Sequence, residues 1–291
     1  MIENPKLPLL IGEIIDLDLV NYHLDGFVVP IKGYSGWDKR CFNLDELRII
    51  TNYAKANNIL VIAKMDKIIM DDEVDGLYKT LDALESLNID YYLYTDTSIL
   101  AYYSKINKLD KLINGSSKMI ASYEEASFYE SKGINCIPSS EISLDEIKKI
   151  CNLNNICLTI YGYLDIFYSK RKLLSLFREH ASLRKPLLNK QYEIKEENRQ
   201  EKNIILENDN GTYIFSDFVY MLYRELGEIK PKFLKINSFR IKKNDLFKII
   251  DIYKEAINNG PTIANYDKLL DINGCVGSGF LYLKAGILNE E

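Results

Sequence analysis

Short apolar runs of strand length alternate along the chain with longer amphipathic segments. This alternation is typical of β-α units built around a parallel sheet. The pattern predicts eight strands, at residues 7–12, 26–31, 60–64, 91–94, 118–121, 135–138, 156–161 and 233–236. It predicts helices at 44–57, 72–88, 122–132, 143–151 and 243–258. We therefore expect an α/β fold, a TIM-like (β/α)8 barrel formed by residues 1–291 as one domain, without a separate C-terminal domain.

Two of the helix starts carry capping residues. Asn43 and Ser143 each precede an apolar-periodic segment, and a glutamate follows three residues later, at Glu46 and Glu146. A side-chain oxygen at the first position and a carboxylate three residues on satisfy backbone N–H groups reciprocally. The sequence therefore predicts capping boxes at these positions rather than functional sites.

One region, from Tyr168 to Lys202, departs from the alternation because it is rich in Arg, Lys, Glu, Gln and Asn. Behind it, the apolar residues 204–206 and 213–215 flank Asn208-Asp209-Asn210-Gly211, a strong hairpin signal. We interpret residues 168–216 as an insertion after the seventh strand. Loops that follow barrel strands lie at the face where sites are built, so this insertion is a candidate functional region. The alternative is a solvated surface flap.

Composition narrows the class of protein. The net charge is -5 with both signs interspersed, so composition indicates neither a basic face nor tight nonspecific binding of nucleic acid. We expect no DNA partner, although a local basic site remains open. The five cysteines are scattered, as expected for reduced thiols in the cytoplasm. The closest pair, Cys151 and Cys157, has no neighbouring histidine, so no metal site is predicted. His23 and His180 belong to no metal motif either. We expect no membrane partner, since no apolar run approaches the roughly 20 residues of a membrane span.

The most informative stretch runs from Tyr161 to Ser175 and has the sequence YGYLDIFYSKRKLLS. It resembles the signature of the U32 peptidase family, approximately His-Gly-Ala-Leu-Cys-x-x-Tyr-Ser-Gly-Arg-Cys-x-Leu-Ser. The matching residues keep the register without a gap; they are Gly162, Leu164, Tyr168, Ser169, Arg171, Leu174 and Ser175. Segments 43–47, 140–147, 211–216 and 234–236 are also similar to family segments in the same order. The resemblance therefore covers about residues 26–258.

The resemblance also bears on the cofactor. Iron-sulfur members of the family hold their cluster with two cysteines of the signature and two more shortly downstream, because thiolates are the ligands that such iron requires. In this chain Asp165 and Lys172 stand at the two signature positions, and no cysteine occurs between Cys157 and Cys275. The resemblance thus implies a member without a cluster, and we expect no cofactor.

Candidate binding residues follow the predicted strands. Tyr168, Ser169 and Arg171, together with Lys170 and Lys172, form a donor set after the seventh strand that suits a phosphate or carboxylate. The further candidates are Gly162 in the signature, Glu141 after the sixth strand, Lys235 within the eighth, and Lys32 and Lys64 at the ends of the second and third. The alternative is that Arg171 is merely exposed and Tyr168 packs a loop. No catalytic residue is identified.

The resemblance implies two functions, and the candidate binding residues suggest a third. In some pairs of family members a short paralogue accompanies a longer cysteine-bearing one, and relatives take part in hydroxylation of RNA bases, including the wobble uridine of tRNA. The first expectation is therefore an accessory subunit in tRNA uridine hydroxylation, with that paralogue and tRNA as partners. The second is a collagenase-like peptidase, although the sequence contains no recognisable protease machinery. The third is a barrel that binds a small anionic metabolite between Arg171 and Lys235.

Overall fold

One curled sheet organises the chain in a computed structural model, which describes residues 7–283 except 117, 118, 184, 186 and 199. Within that part of the chain the strands are β1 (Leu9–Glu13), β2 (Gly26–Pro30), β3 (Leu60–Met65), β4 (Tyr91–Tyr94), β5 (Leu112–Asn114), β6 (Asn135–Cys136), β7 (Cys157–Ser169), β8 (Gln191–Lys195), β9 (Lys202–Asn208), β10 (Gly211–Met221), β11 (Phe233–Ile236) and β12 (Val276–Gly277). The α-helices are α1 (Leu44–Ala56), α2 (Val74–Glu85), α3 (Thr97–Lys105), α4 (Tyr123–Ser131), α5 (Leu144–Ile150), α6 (Leu173–His180), α7 (Lys243–Asn259) and α8 (Ile263–Ile272).

The sheet has a parallel part and an antiparallel part. Its order is β6-β5-β4-β3-β2-β1-β11-β7-β10-β9-β8, with β12 beside β10. The strands from β6 to β7 in this order run parallel, whereas β7, β10, β9 and β8 pair antiparallel. An isolated parallel bridge joins Cys136 of β6 to Ile156, directly before β7. The architecture is an α/β fold compatible with a TIM-like barrel.

The concave face of the parallel strands carries an apolar layer. Alternate residues of a strand point to the same face, so each strand contributes one side chain at a given level. The layer comprises Ile11, Val28, Ile62, Leu93, Ile113, Ile137, Cys157 and Phe233. The rings of Tyr91 on β4 and Phe233 on β11 pack edge to face with their centres 5.4 Å apart, although three strands separate β4 from β11 in the sheet. This contact requires the sheet to curl.

The predicted capping boxes are confirmed. Asn43 Oδ1 accepts a hydrogen bond from the Glu46 N–H at 3.0 Å, and the Glu46 carboxylate accepts one from the Asn43 N–H at 3.1 Å. Ser143 and Glu146 make the same reciprocal pair at the start of α5. Both glutamates therefore have a structural role.

The predicted fifth strand is wrong. β5 is formed by Leu112–Asn114, while residues 119–121 belong to no strand, and the Met119 N–H donates to the Ser116 carbonyl at 3.0 Å. Lys118, the first residue of the predicted strand, lies outside the described residues. Met119 is 67% exposed, whereas Leu112 and Ile113 are fully buried, so the short apolar run at 112–113 was the better strand signal. The helices α6 and α8 were not predicted from the periodicity.

The predicted hairpin after the seventh strand is confirmed by β9 and β10, which flank the turn at Asp209 and Asn210. Gly211 has φ +137, and a Cβ there would lie 2.2 Å from the Ser169 carbonyl oxygen, so the close approach to β7 requires glycine. Ile204, Tyr213 and Phe215 are buried. The hairpin is thus part of the sheet and its core rather than a solvated flap.

None of the helices within the described residues combines the length and apolar character that crossing a membrane requires.

Candidate functional site

A cavity of about 330 Å³ lies at the carboxyl ends of the parallel strands. Its floor is polar because the concave face changes character along each strand. Two residues beyond the members of the apolar layer, the same strands present Glu13, Lys64, Thr95, Ser139, Thr159 and Lys235, all of which line the cavity. The period of two places these side chains on the concave face. We call them the polar layer.

Lys64 is the centre of the polar layer. Its Nζ lies 2.8 Å from Glu13 Oε1, 2.9 Å from Asp38 Oδ2 and 3.5 Å from Asp66 Oδ2. The ammonium also lies 4.0 Å from the centre of the Trp37 ring. The side chain of Lys64 is 3% exposed, so its charge must be compensated within the protein, and the carboxylates provide that compensation. Burial opposes the charged form, but Asp38, Asp66 and Glu13 raise the pKa of Lys64 well above its ordinary value.

Glu13 is the ionised carboxylate of this cluster. Burial favours its neutral form, but the charges of Lys64 and Lys235 and hydrogen bonds from Lys64 and Ser238 hold the pKa of Glu13 at about 2. The Ser238 N–H and Oγ–H donate to Glu13 Oε2 at 2.9 and 3.0 Å. Lys235 Nζ lies 3.7 Å from Glu13 Oε1 and donates to Asn237 Oδ1. Glu13 therefore ties β1 to β3 and β11.

Asp38, in the loop after β2, holds its proton more tightly than Glu13 does. Burial raises its pKa to about 8; Lys64 opposes the rise, and the neighbouring Glu13 and Asp66 add to it. Two carboxyl groups that contact the same ammonium thus have pKa values on opposite sides of neutrality. Pairs of this kind can divide the roles of proton donor and proton acceptor.

Aromatic side chains from the insertion form one wall of the cavity. Tyr168 of β7 stacks on Tyr213 of β10 with ring centres 4.6 Å apart, and the Tyr168 hydroxyl donates to the Asn210 carbonyl at 2.9 Å. Trp37 packs edge-on against Phe215 at 5.2 Å. The hairpin turn is held to the loop after β2 by hydrogen bonds from Asn208 and Asn210 to the Gly36 carbonyl. The insertion is therefore fixed beside the polar layer.

Of the residues predicted from the sequence, Tyr168, Lys235 and Lys64 line the cavity, and so does Asp165. Gly162 has φ +119 and lies where β7 passes Asn237, so that an added Cβ would be 2.7 Å from the Asn237 Cβ. Its role is to permit this approach.

The other predicted residues lie outside the described lining of the cavity. The hydroxyl oxygen of Ser169 accepts a hydrogen bond from the Arg171 N–H at 3.2 Å, and Arg171 itself is exposed. Glu141 is exposed, and its N–H donates to Ser139 Oγ at 3.1 Å. Lys32 is exposed as well. His23 is paired with Asp251 at 2.6 Å on the surface, and His180 is exposed at the end of α6.

Sequence reasoning missed Glu13, Trp37, Asp38 and Asp66. One signal could have found Glu13, because it ends an apolar strand in the way that Lys64 and Lys235 do. Trp37 and Asp38 lie in a loop with no local pattern, and only the curling of the sheet brings them to Lys64.

The residues at the family's cysteine positions do not fit an iron-sulfur cluster. Asp165 presents an oxygen ligand, and Lys172 is an exposed amine 3.4 Å from Asp209. Burial raises the pKa of the Cys136, Cys151 and Cys157 thiols to about 12, which disfavours the thiolate form that ligates iron. Among the described residues no group of three or more His, Cys, Asp or Glu side chains is arranged to hold a metal.

Comparisons with known proteins agree with this architecture. The model of peptidase family U32 matches residues 20–270. The solved structure of the U32 peptidase Mk0906 is similar, with a TM-score of 0.50 and 16% identity over 81% of this chain and 95% of that chain. Monomers generated from the dimeric phosphoribosylanthranilate isomerase of Thermotoga maritima match with a TM-score of 0.37 and 12% identity, over 53% of this chain and 75% of that one. No curated protein matches the chain.

Proposed function

The chain belongs to peptidase family U32, and from this premise we propose that it is a cluster-less accessory subunit in hydroxylation of the wobble uridine of tRNA. It would act in the cytoplasm beside a longer, cysteine-bearing U32 paralogue. The observation that carries the proposal is the cavity with an aromatic wall and a polar layer as its floor.

The cavity suits an unpaired base. Its volume of about 330 Å³ lies in the range of small-ligand sites. The stacked rings of Tyr168 and Tyr213 and the ring of Trp37 border it with flat apolar surface, against which a base can pack. Enzymes that modify a base take it out of the stack into such a pocket.

The floor suits the edge of a uracil, which presents two carbonyl acceptors and one N–H donor. The Lys235 ammonium and the Asn237 amide both line the cavity and supply donors and an acceptor. A site that pairs with these groups discriminates against rings lacking them, because its own buried polar atoms would otherwise be left unpaired.

The accessory assignment rests on what the chain lacks at the signature positions. Asp165 and Lys172 replace two thiolates, so the residues present support binding of a base rather than the redox chemistry of a hydroxylation. A longer paralogue with the cysteines would supply that chemistry. The proposal therefore divides substrate binding and oxidation between two chains.

Deleting the gene tests this function. The wobble-position hydroxyl should disappear from tRNA, as measured by nucleoside mass spectrometry, and wild-type protein should restore it. The Lys235→Met variant should restore on the order of tenfold to a hundredfold less of the hydroxylated nucleoside than the wild-type protein does, because a buried charged donor is removed. Lys230→Met, an exposed lysine, is the matched control and should restore fully. Unchanged tRNA in the deletion strain would contradict the proposal.

A second candidate, hydrolysis of peptides, is favoured by the pair Glu13 and Asp38. Their separated pKa values provide a proton acceptor and a proton donor around Lys64. If this function holds, the purified protein should cleave labelled collagen-like peptides, and Glu13→Gln should abolish cleavage while the exposed Glu141→Gln does not. Absence of cleavage would eliminate this candidate, and sensitivity to chelator would indicate a metal-dependent peptidase instead.

The anionic-metabolite function is the least supported of the three. It requires Arg171 and Lys235 to face the same ligand. Lys235 is buried in the polar layer, whereas Arg171 is exposed and is not part of the described cavity lining.

A further inference from the structure

A strongly basic stretch interrupts an acidic chain. Residues 168–190 contain seven Lys or Arg and one acidic residue, Glu179, although the whole chain has 37 Lys and Arg against 42 Asp and Glu. We call residues 168–190 the basic segment. Positive charge concentrated in this way is the electrostatic footprint of a polyanion-binding surface.

The basic segment starts inside the cavity and leads out of it. Its first residue, Tyr168, is part of the aromatic wall, and Arg171 and Lys172 are already exposed. Between them, Lys170 Nζ donates to the carbonyl of Ile68 at 3.5 Å, and Ile68 also borders the cavity. The positive charges thus begin at the edge of the site with Lys170, Arg171 and Lys172, and Arg178 on α6 adds a fourth.

Part of the basic segment, the start of α6, is held against the sheet by a residue of β9. Glu207 of β9 is fully buried, and its carboxylate accepts hydrogen bonds from the Leu174 N–H at 2.8 Å and the Ser175 N–H at 3.2 Å. A carboxylate at these positions satisfies the free N–H groups of the first turn of α6. The start of α6, next to Arg171 and Lys172, is therefore held on a fixed support.

The ion pairs of the segment can be exchanged for phosphates. Lys172 and Asp209 are 3.4 Å apart with side chains 46% and 85% exposed, and Arg178 and Glu179 are 3.7 Å apart on the surface. Exposed pairs such as these contribute little to stability. Replacing a surface carboxylate by a phosphate at Lys172 or Arg178 therefore requires no rearrangement of the core.

We propose that the basic segment binds the phosphate backbone of an RNA whose unpaired base enters the cavity beside Tyr168. This inference rests on the proposed function and names the surface by which the chain engages its RNA. α6 has eight residues and is about 12 Å long, which is short for an amphipathic membrane anchor. The shortness of α6 therefore favours RNA over a lipid surface.

Binding of unmodified tRNA by the purified chain tests the proposal. The triple variant Arg171→Gln, Lys172→Gln and Lys190→Gln should bind about tenfold or more weakly at near-physiological salt. The slope of the logarithm of the binding constant against the logarithm of the salt concentration should decrease in magnitude by about one for each phosphate contact removed. The triple variant Lys79→Gln, Lys149→Gln and Lys230→Gln changes the same charge at exposed positions elsewhere and should bind like the wild type.

The outcomes separate this inference from the proposed function. Equal RNA binding by the two triple variants, or no RNA binding by the wild type, would overturn the inference. Binding of the wild type to phosphatidylglycerol vesicles but not to tRNA would overturn it in favour of a membrane surface. If the gene deletion leaves tRNA unchanged while the first variant still loses RNA affinity, the surface stands and the hydroxylation role fails. The opposite result is also possible: the deletion strain loses the hydroxyl, while the Arg171, Lys172 and Lys190 triple variant restores it fully and binds tRNA as tightly as the wild type. In that case the hydroxylation role stands and the basic segment is not the RNA-binding surface.

Discussion

The apolar layer and the polar layer occupy the same strands and the same face, two residues apart. At the first level Ile11, Ile62 and Phe233 pack together, and at the second Glu13, Lys64 and Lys235 form an ion cluster. These six side chains are almost fully buried. Burial therefore does not distinguish the site from the core; the chemistry of the buried group does.

This difference has a physical consequence. An apolar layer is stabilised by close contact and tolerates changes of shape that preserve volume. An ion cluster is stabilised only while every charge has a partner, because an unpaired buried charge is strongly unfavourable. Substitutions of similar size should therefore have unequal effects at the two levels.

The largest effect is expected for Lys64→Met. Removing the ammonium leaves Glu13 without its closest cation, and breaking a buried pair in this way costs about 3–5 kcal/mol. Ile62→Val on the same strand and face should cost about 0.5–1.5 kcal/mol. Urea unfolding at pH 7 measures both free energies.

A change of pH distinguishes charge from packing in Lys64→Met. As the pH falls from 7 to 4, the carboxyl groups left unpaired and buried in the variant should take up protons, and the deficit of the variant relative to the wild type should shrink. A deficit that is the same at pH 4 and pH 7 would show that Lys64 stabilises the fold through packing of its aliphatic chain and not through its charge. The polar layer would then be stabilised in the same way as the apolar layer.

A smaller effect is expected for Gly162→Ala, at the level of the polar layer. Its φ of +119 is unfavourable for alanine, and the new methyl group would meet Asn237 at 2.7 Å. We expect a loss of about 1–3 kcal/mol and displacement of Asn237 from the cavity. Gly227→Ala is the control, since nothing lies within 4 Å of a Cβ at that exposed position. Equal melting temperatures of the two variants would contradict the proposed close approach.

Asp38 makes the polar layer sensitive to pH in a direction opposite to Glu13. Its pKa rises from 3.8 to about 8 on folding, so the folded chain holds this proton more tightly than the unfolded chain between those values. The associated stability is complete below pH 3.8 and is lost as the pH rises through 8. Glu13, with its pKa lowered to about 2, contributes stability above pH 4.5 that is lost on acidification.

Between pH 5 and pH 8 the free energy of unfolding should therefore fall by about 1 kcal/mol per pH unit through Asp38. Asp38→Asn should remove this slope, and Asp209→Asn, at an 85% exposed carboxylate, should retain it. The same slope in wild type and Asp38→Asn would show that Asp38 is ionised in the folded chain.

The apolar layer was largely predictable from the sequence, and the polar layer was not. Seven of the eight predicted strands overlap observed ones, because apolar runs of four to six residues between helices are local signals. Lys64 and Lys235 were found because they lie at the end of or within a predicted strand, and Tyr168 was found because it lies in the signature. The contacts of Lys64 with Glu13 and Asp38 span 51 and 26 residues, and no local pattern encodes them. Glycine at 162 was predicted as a signature residue, but its reason, the passage beside Asn237, is a tertiary one.

The smallest effect compares two tyrosine hydroxyls at the aromatic wall and in the core. The Tyr168 hydroxyl donates to the Asn210 carbonyl at 2.9 Å, so Tyr168→Phe should cost about 0.5–1.5 kcal/mol. The Tyr94 hydroxyl is buried without a hydrogen-bond partner among the residues that the structure describes, so Tyr94→Phe should be neutral or slightly stabilising. Chemical unfolding of both variants in parallel measures the difference. An equal loss in the two variants would mean that the hydrogen bond to Asn210 does not hold the insertion, because the hydroxyl would then contribute as much in the core as at the wall.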